Sequence, residues 1–392
     1  MPDKATLDPM RAAIGVFPKM EHDWRVRRLT QAMAEAGIDE VLVYSWPWRP
    51  DNARYLAGAP VTGTTLFRLR GDGHVSALVS NEVDRAAIRR AGWVSDIDRA
   101  SQFSPAVLRG WLDGVGASSR LGVTQLELMP VGLRRNIEQA QPNVKLESAT
   151  RLVDLVRFLK SAWEHERIRA SVELATRGWQ AMFESMNPGV REFEVVAALE
   201  REIKRNGAED NFMLIASGTT EVRAMHAPED RRLQLGDLVR TELTPQVDGY
   251  YAQICRTAVL GKPSREQSWA YEVFREAVEA GIDTVRPGAT SHEVAKAQND
   301  VLRANGLGEY CTTQHMRVRG HGVGLHLDEM PGVQEGDETV IQEGASMVIH
   351  PNTYTPMAGY MVVGDPILVT ATGTERLATA DTKLPSRTEV SS

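Results

Sequence analysis

The sequence predicts an α/β (α+β) protein of two domains. Three observations carry this. The chain has 392 residues, more than a single hydrophobic core usually serves. Its first stretch alternates helical and strand patterns at short intervals, which is the mark of a small α/β domain. The remainder opens with long helical patterns and ends in short apolar strands between glycine-rich turns. The predicted domains are residues 1–155 and 156–392.

The first domain begins with WRVRRLTQAMAEAG (24–37), whose apolar residues recur at helical spacing and which ends in Gly37, a good residue for closing a helix. EVLVYS (40–45) follows as a strand, and TTLFRLRGDGHVSALVS (64–80) reads as two strands around Gly-Asp-Gly. A helix, a strand and another helix continue to about residue 140. LVDLVRFLKSAWEHERIRASVELATRGWQAMFESM (152–186) is helical over most of its length, a bridge leading into the first long helix of the second domain. REFEVVAALEREIKRNGA (191–208) is a further helix, stopped near Gly207. Ser264 with Gln267, and Thr290 with Glu293, are capping-box patterns that start two more helices. Short strands and glycine-rich turns run on to about residue 377, and the tail is polar.

The bulk numbers exclude several functions. Net charge is −7 and no basic run stands out, which disfavours nucleic acid and anionic membrane as partners. No stretch reaches eighteen apolar residues, so neither a signal peptide nor a membrane span is expected. Two cysteines, Cys255 and Cys311, make no disulfide framework, and a cytoplasmic location is expected.

Four stretches of the second domain put polar groups inside apolar patterns. Met225-His226-Ala227-Pro228 follows the glycine-bearing IASGTTEV. VRTELTPQVDGYYAQICRT (239–257) is a hairpin. If its turn centres between Val247 and Asp248, Glu242 lies opposite Gln253, with Cβ atoms roughly 5 Å apart, and Tyr251 and Cys255 share the face of Gln253. A carboxylate on an inner strand face needs a partner, because burying it alone is costly. RVRGHGVGLHLDEMP (317–331) crowds His321, His326 and Asp328 among glycines that let backbone approach a ligand closely. In SMVIHPNTYTPMAGYMVVGDPILVT (346–370), His350 interrupts an apolar strand just before Pro351, and Asn352 and Tyr354 follow. Each of these also has a bland reading, as a surface loop, a paired carboxylate, a tight turn or a satisfied core histidine. Their concentration in one domain favours chemistry.

Over nearly its whole length the chain resembles the creatinase/prolidase/aminopeptidase P superfamily. RLTQAMAEAGIDEVLVYSWPWRPDNARYLAG and LVRFLKSAWEHERIRAS are similar to that family's opening and domain junction. LQLGDLVRTELTPQVDGYYAQICRTAVLGKPS, GHGVGLHLDEMPG and EGASMVIHPNTYTPMAGYMVVGDPILVTATGTERL follow in the family order. The resemblance implies a small N-terminal α/β creatinase-type domain. It also implies a C-terminal pita-bread domain, a curved antiparallel sheet covered by helices, and a homodimer. The family's peptidases bind two metal ions through Asp, Asp, His, Glu and Glu. Those positions are Glu242, Gln253, His321, His350 and Gly364 here. One carboxylate, one amide and two imidazoles lack the bridging carboxylates that two dications need.

The resemblance therefore implies a creatinase-like hydrolase of a small C–N compound, an amide, ureide or cyclic amidine, without a dinuclear metal site. The catalytic residues expected are His226, Glu242, His321 and His350. His226 takes the role of the family's loop histidine as acid and base, and His321 and His350 hydrogen-bond the developing oxyanion. Tyr250, Gln253, Cys255, Arg317, His326, Asp328, Asn352 and Tyr354 are the expected substrate contacts. No cofactor is expected on this reading. One alternative is a mononuclear metal hydrolase or lyase using one divalent ion on Glu242, His321 and His350. The others are an Xaa-Pro-type aminopeptidase with an atypical site and a non-catalytic binding scaffold.

Overall fold

The computed structural model describes residues 19–116, 119–315 and 318–388. The chain divides into two compact units, Met1–Arg157 and Phe158–Ser392.

The N-terminal unit contains helix α1 (Lys19–Ala36), strand β1 (Glu40–Ser45), α2 (Asp51–Ala57), β2 (Thr65–Arg70), β3 (Val75–Val79), α3 (Glu82–Ala91), β4 (Asp96–Arg99), α4 (Pro105–Trp111), β5 (Arg120–Val123), α5 (Val131–Ala140), β6 (Lys145–Ser148) and α6 (Thr150–Phe158). Its sheet runs β4-β3-β2-β1-β5-β6. β1, β2 and β3 are antiparallel, and the outer strands join in parallel, as helical crossovers allow. Leu42, Tyr44, Leu66, Leu78, Leu121 and Val123 from the strands pack with Leu108 and Ile137 from the helices. The Glu40 carboxylate, which a core would otherwise reject, is held by Arg68 at 2.6 and 3.0 Å.

The C-terminal unit begins at a capping box, Ser161 with Glu164, that starts α7 (Ala162–Ser185). Then come α8 (Glu192–Arg205), β7 (Asp210–Gly218), β8 (Leu238–Val247), β9 (Tyr250–Tyr251), β10 (Ile254–Leu260), α9 (Arg265–Thr284) and α10 (Ser291–Ala304). Both capping boxes expected from sequence start α9 and α10. The chain ends in short strands, β11 (Gly320–Gly322), β12 (Glu329–Gly332), β13 (Ser346–Ile349), β14 (Thr353–Thr355), β15 (Gly359–Met361), β16 (Asp365–Thr370), β17 (Gly373–Arg376) and β18 (Ser386–Arg387).

These strands form two largely antiparallel sheets, β18-β10-β8-β7 with β9 on β8, and β12-β11-β13-β16-β17, and a two-stranded antiparallel ribbon, β14-β15. Cys255 and Gly364 join the two sheets by exchanging two 3.1 Å backbone hydrogen bonds. This is the curved, helix-covered sheet of the pita-bread domain. Its core packs α9 and α10 through Phe274, Val278, Val294 and Leu302 against Met347, Ile349 and Ile367.

The hairpin register differs from the sequence expectation. Val247 pairs with Tyr250 and Glu242 pairs with Cys255, not with Gln253. The turn centres on Asp248 and Gly249, whose φ angles are 48° and 87°. A two-residue turn of this hand needs positive φ at both central positions, and Asp-Gly supplies it where Val-Asp would not.

Candidate active site in the C-terminal unit

Glu242 stands opposite Leu214 on one side and Cys255 on the other, so the three side chains share a sheet face. The other face packs on helices, where Ser217 donates to Glu192 of α8. Asn352, fully buried after β13, donates from Nδ2 to Glu242 Oε1 at 2.7 Å and lies 3.7 Å from Cys255 Sγ. Its Oδ1 accepts from the Val363 N–H at 3.1 Å, which fixes which way the amide points. Buried Arg319 holds the Asn352 carbonyl at 3.2 Å and Asn299 Oδ1 at 2.6 Å. Gln253, diagonal to Glu242, donates to Cys255 Sγ at 3.5 Å.

Glu242 is partly buried and keeps some solvent access. Burial, only partly offset by the Asn352 hydrogen bond, pushes its carboxyl up to about 7. The Cys255 thiol is pushed well above its ordinary value by complete burial and by the Glu242 charge, so it is a neutral wall and not a nucleophile.

His321 and His350 meet edge to face, with ring centroids 5.3 Å apart. The glycines around His321 permit this. A Cβ at Gly320 would meet the Val348 carbonyl at 2.3 Å and one at Gly322 the Met330 carbonyl at 2.0 Å, so β11 could not otherwise seat between β12 and β13. His321 Nδ1 lies 2.9 Å from the Gly322 carbonyl. A carbonyl only accepts, so Nδ1 carries a proton. His350 is 4% exposed, and neither ring nitrogen has a hydrogen-bond partner among the described residues. Burial, then His321 and Arg319, push it well below the usual histidine value, so it is a neutral imidazole with one donor and one acceptor unspent. Such a group costs about 1–3 kcal/mol unless something binds it.

The structure separates other expected residues from this cluster. Tyr250 is a core residue: its hydroxyl donates to Glu164 Oε1 at 3.0 Å and its ring packs edge-on against Trp163 of α7. It does not line the site, because it alternates with Tyr251 and so lies on the helix side, as it would in either register. His226 exchanges two 2.9 Å backbone bonds with Ile215, which faces Thr241. That is one place out of phase with Leu214 and Glu242, so strand alternation aligns His226 with the opposite face. Its Nδ1 lies 2.7 Å from the Ala227 carbonyl and 3.8 Å from Glu229. Asp328 is not separated: it is exposed at the edge of the cluster, its carboxylate 3.8 Å from His321 Nδ1, and His326 Nδ1 lies 2.9 Å from the Asp328 carbonyl. Arg317 lies outside the described residues.

Tyr354 does join the site. It clusters with Cys255, Val348, Tyr360 and Val362, with Val222 and Met225 against them. Over its ring, 3.9 Å from the centroid, sits the Arg223 guanidinium, which sequence reading missed. Arg223 has no acidic partner among the described residues. The nearby Glu221 carboxylate is spent on Thr219 N and Oγ1 at 2.9 and 2.6 Å and is lowered to about 2 by those bonds. A signal existed in EVRAMH, one cation beside the loop histidine, but only folding brings it to Tyr354.

Among the described residues no three His, Cys, Asp or Glu side chains converge closely enough to hold a metal ion. At Gly364 a Cβ would lie 2.5 Å from His350 Cβ and 3.1 Å from Cys255 Cβ, so that corner of the site is filled.

The model of the Creatinase/Prolidase N-terminal domain matches residues 25–159, and that of metallopeptidase family M24 matches residues 166–371. The Xaa-Pro dipeptidase of Pyrococcus horikoshii is 29% identical over 365 residues, covering 92% of this chain and 98% of its own. The creatinase of a Bacillus species is 28% identical, covering 94% and 92%. The crystal structure of the P. horikoshii prolidase superposes with a TM-score of 0.81 at 27% identity, covering 92% and 99%. With the two-sheet fold, the order of motifs and a match over more than half its length in agreement, the chain belongs to metallopeptidase family M24.

Proposed function

We propose that this protein hydrolyses a C–N bond in a small anionic compound, an amide, ureide or cyclic amidine, with Glu242 as the proton carrier. The observation that carries the reading is the partly buried Glu242 carboxyl, opposite Cys255 and held by Asn352 Nδ2 at 2.7 Å, which burial pushes up to about 7. A group of that pKa is well matched to both taking and returning a proton near neutrality.

The family implies divalent metal ions, and the donor set here does not fit them. Its positions hold Glu242, Gln253, His321, His350 and a glycine whose side-chain space is occupied. The same mismatch applies to a single ion on Glu242, His321 and His350.

In the proposed reaction, ionised Glu242 removes a proton from water as its oxygen attacks the carbonyl or amidine carbon. His350, whose ring nitrogens are sealed from solvent, takes no part in this scheme. The C–N bond then breaks, and the Glu242 carboxylic acid gives its proton to the leaving nitrogen. Arg223, 3.9 Å over the Tyr354 ring, offers its N–H groups to an anionic group of the substrate. His226, aligned with the other face, is the less supported proton carrier.

The relatives' names support a second reading, hydrolysis of an Xaa-Pro dipeptide. A panel of Xaa-Pro dipeptides, amides, ureides and cyclic amidines separates the two, run with metal analysis and chelation. Turnover that survives chelation in metal-free protein supports the proposal. Activity that tracks a stoichiometric metal ion would sink it. A homodimer remains part of the proposal on the family's pattern. No helix among the described residues is long and apolar enough to cross a membrane.

A further inference from the structure

Arg256 alternates with Cys255 along β10 and so points away from the catalytic face. There a cleft of about 370 Å³ opens, lined by Trp179, Gln180 and Phe183 of α7, by Arg256, and by Leu377 and Asp381 of the C-terminal segment. The Arg256 side chain is only 7% exposed. Its Nη1 is fully engaged, donating to the carbonyls of Cys255 and Gly364 at 2.9 and 2.6 Å and to Asp365 Oδ1 at 2.9 Å. Its Nε and Nη2 donate to nothing among the described residues, yet neither is a sealed, unsatisfied atom, so both are reachable from the cleft. Asp365 is spent on Arg256 and the Ala380 N–H. Asp381 is exposed at the rim, and its carboxylate has no partner among the described residues. Its backbone is fixed by Tyr271, whose hydroxyl donates to its carbonyl at 2.8 Å. Trp179 and Phe183, one turn apart, wall the cleft with rings 6.1 Å apart.

We propose that this cleft is a second small-molecule site and that its ligand is a free amino acid with an apolar side chain. Its carboxylate bonds Arg256 Nε and Nη2, its ammonium meets Asp381, and its side chain lies on Trp179 and Phe183. Charge complementarity selects this class. A simple cation would meet the open guanidinium edge and a dianion would meet Asp365 and Asp381, whereas a zwitterion matches one open cation and one open anion in the same small cleft. The site is independent of the proposed reaction.

The test is calorimetric titration of the full-length protein with L-leucine. Saturable binding is expected, weakened roughly fivefold or more in Asp381→Asn and in Phe183→Ala. Leucinamide and N-acetylleucine, each lacking one charge, should bind roughly tenfold more weakly. Glu242→Gln should bind leucine as the parent protein does. The proposal is overturned if no saturable binding appears up to about 20 mM, or if Asp381→Asn and Phe183→Ala both bind leucine like the parent. Binding lost only in Glu242→Gln would place leucine on the catalytic face and overturn it as well.

Discussion

Glu242 and Cys255 face each other directly across the β8–β10 ladder, and a single amide, Asn352 Nδ2, touches both, at 2.7 and 3.7 Å. The thiol fills the space beside the carboxylate without offering it a charge, so Glu242 is desolvated but not neutralised. That is why its carboxyl rises to about 7 and does not fall as a salt-bridged one would.

Replacing Glu242 by Gln should cost activity and raise stability together. Loss of the proton carrier is expected to lower kcat by about 10²–10⁴-fold. The folded-state pKa lies above the ordinary carboxylate value, so the native protein holds this proton more tightly than the unfolded chain. Stability therefore falls as pH rises from about 4.5 to about 7 and stays lowered above that. The substitution should recover up to about 3 kcal/mol at pH 8 and little at pH 4.5. Urea unfolding at the two pH values checks this; equal gains at both would refute it.

The pH profile of kcat/KM should rise from pH 5 to 8 with an inflection near 7, because the base must be ionised in the free enzyme. In Asn352→Ala the hydrogen bond that stabilises the carboxylate is gone, so the inflection should move upward. A downward or absent shift would show that another group titrates.

His226→Ala should retain more activity than Glu242→Gln, since alternation turns His226 from the Glu242 face. Turnover abolished in the His226 variant and kept in the Glu242 variant would reverse the roles proposed here.

Arg223→Gln should raise KM for an anionic substrate roughly 10–100-fold with little change in kcat, the signature of a lost charge-assisted contact made equally in ground and transition states. A neutral analogue of the substrate should be insensitive to the change. Equal sensitivity of both would mean that Arg223 acts only by packing on Tyr354.

Gly364→Ala should destabilise by about 1–3 kcal/mol, from forcing a methyl against His350 Cβ and Cys255 Cβ. Gly364→Glu, which restores the family's carboxylate, should not create a metal site. A stoichiometric metal in that variant, measured by elemental analysis, would show that the corner can open.

The hairpin shows where sequence reading stopped. Alternation fixed that Gln253 and Cys255 share a face, but the partner of Glu242 depended on where the turn centred. Asp-Gly carried that information, since it is the pair that tolerates two positive φ angles. Arg223 was legible only as a surface cation, because nothing local says that residue 354 will stack beneath it. Alternation alone places Tyr250 on the face opposite Gln253 and Cys255, and the structure puts it in the core with Glu164 and Trp163.

By itself the sequence determined the order of elements, the capping boxes, the glycines at the β11 crossing and the residue identities at Glu242, Gln253, His321, His350 and Gly364. These are local patterns or residue identities, and they need no neighbour to be read. Only the tertiary structure decided that Asn352, 110 residues on, holds Glu242, that His350 is sealed and unpartnered, and that Arg256 keeps an open edge on the far face. Protonation and hydrogen-bond satisfaction depend on which distant groups share a buried volume, and chain order does not specify that.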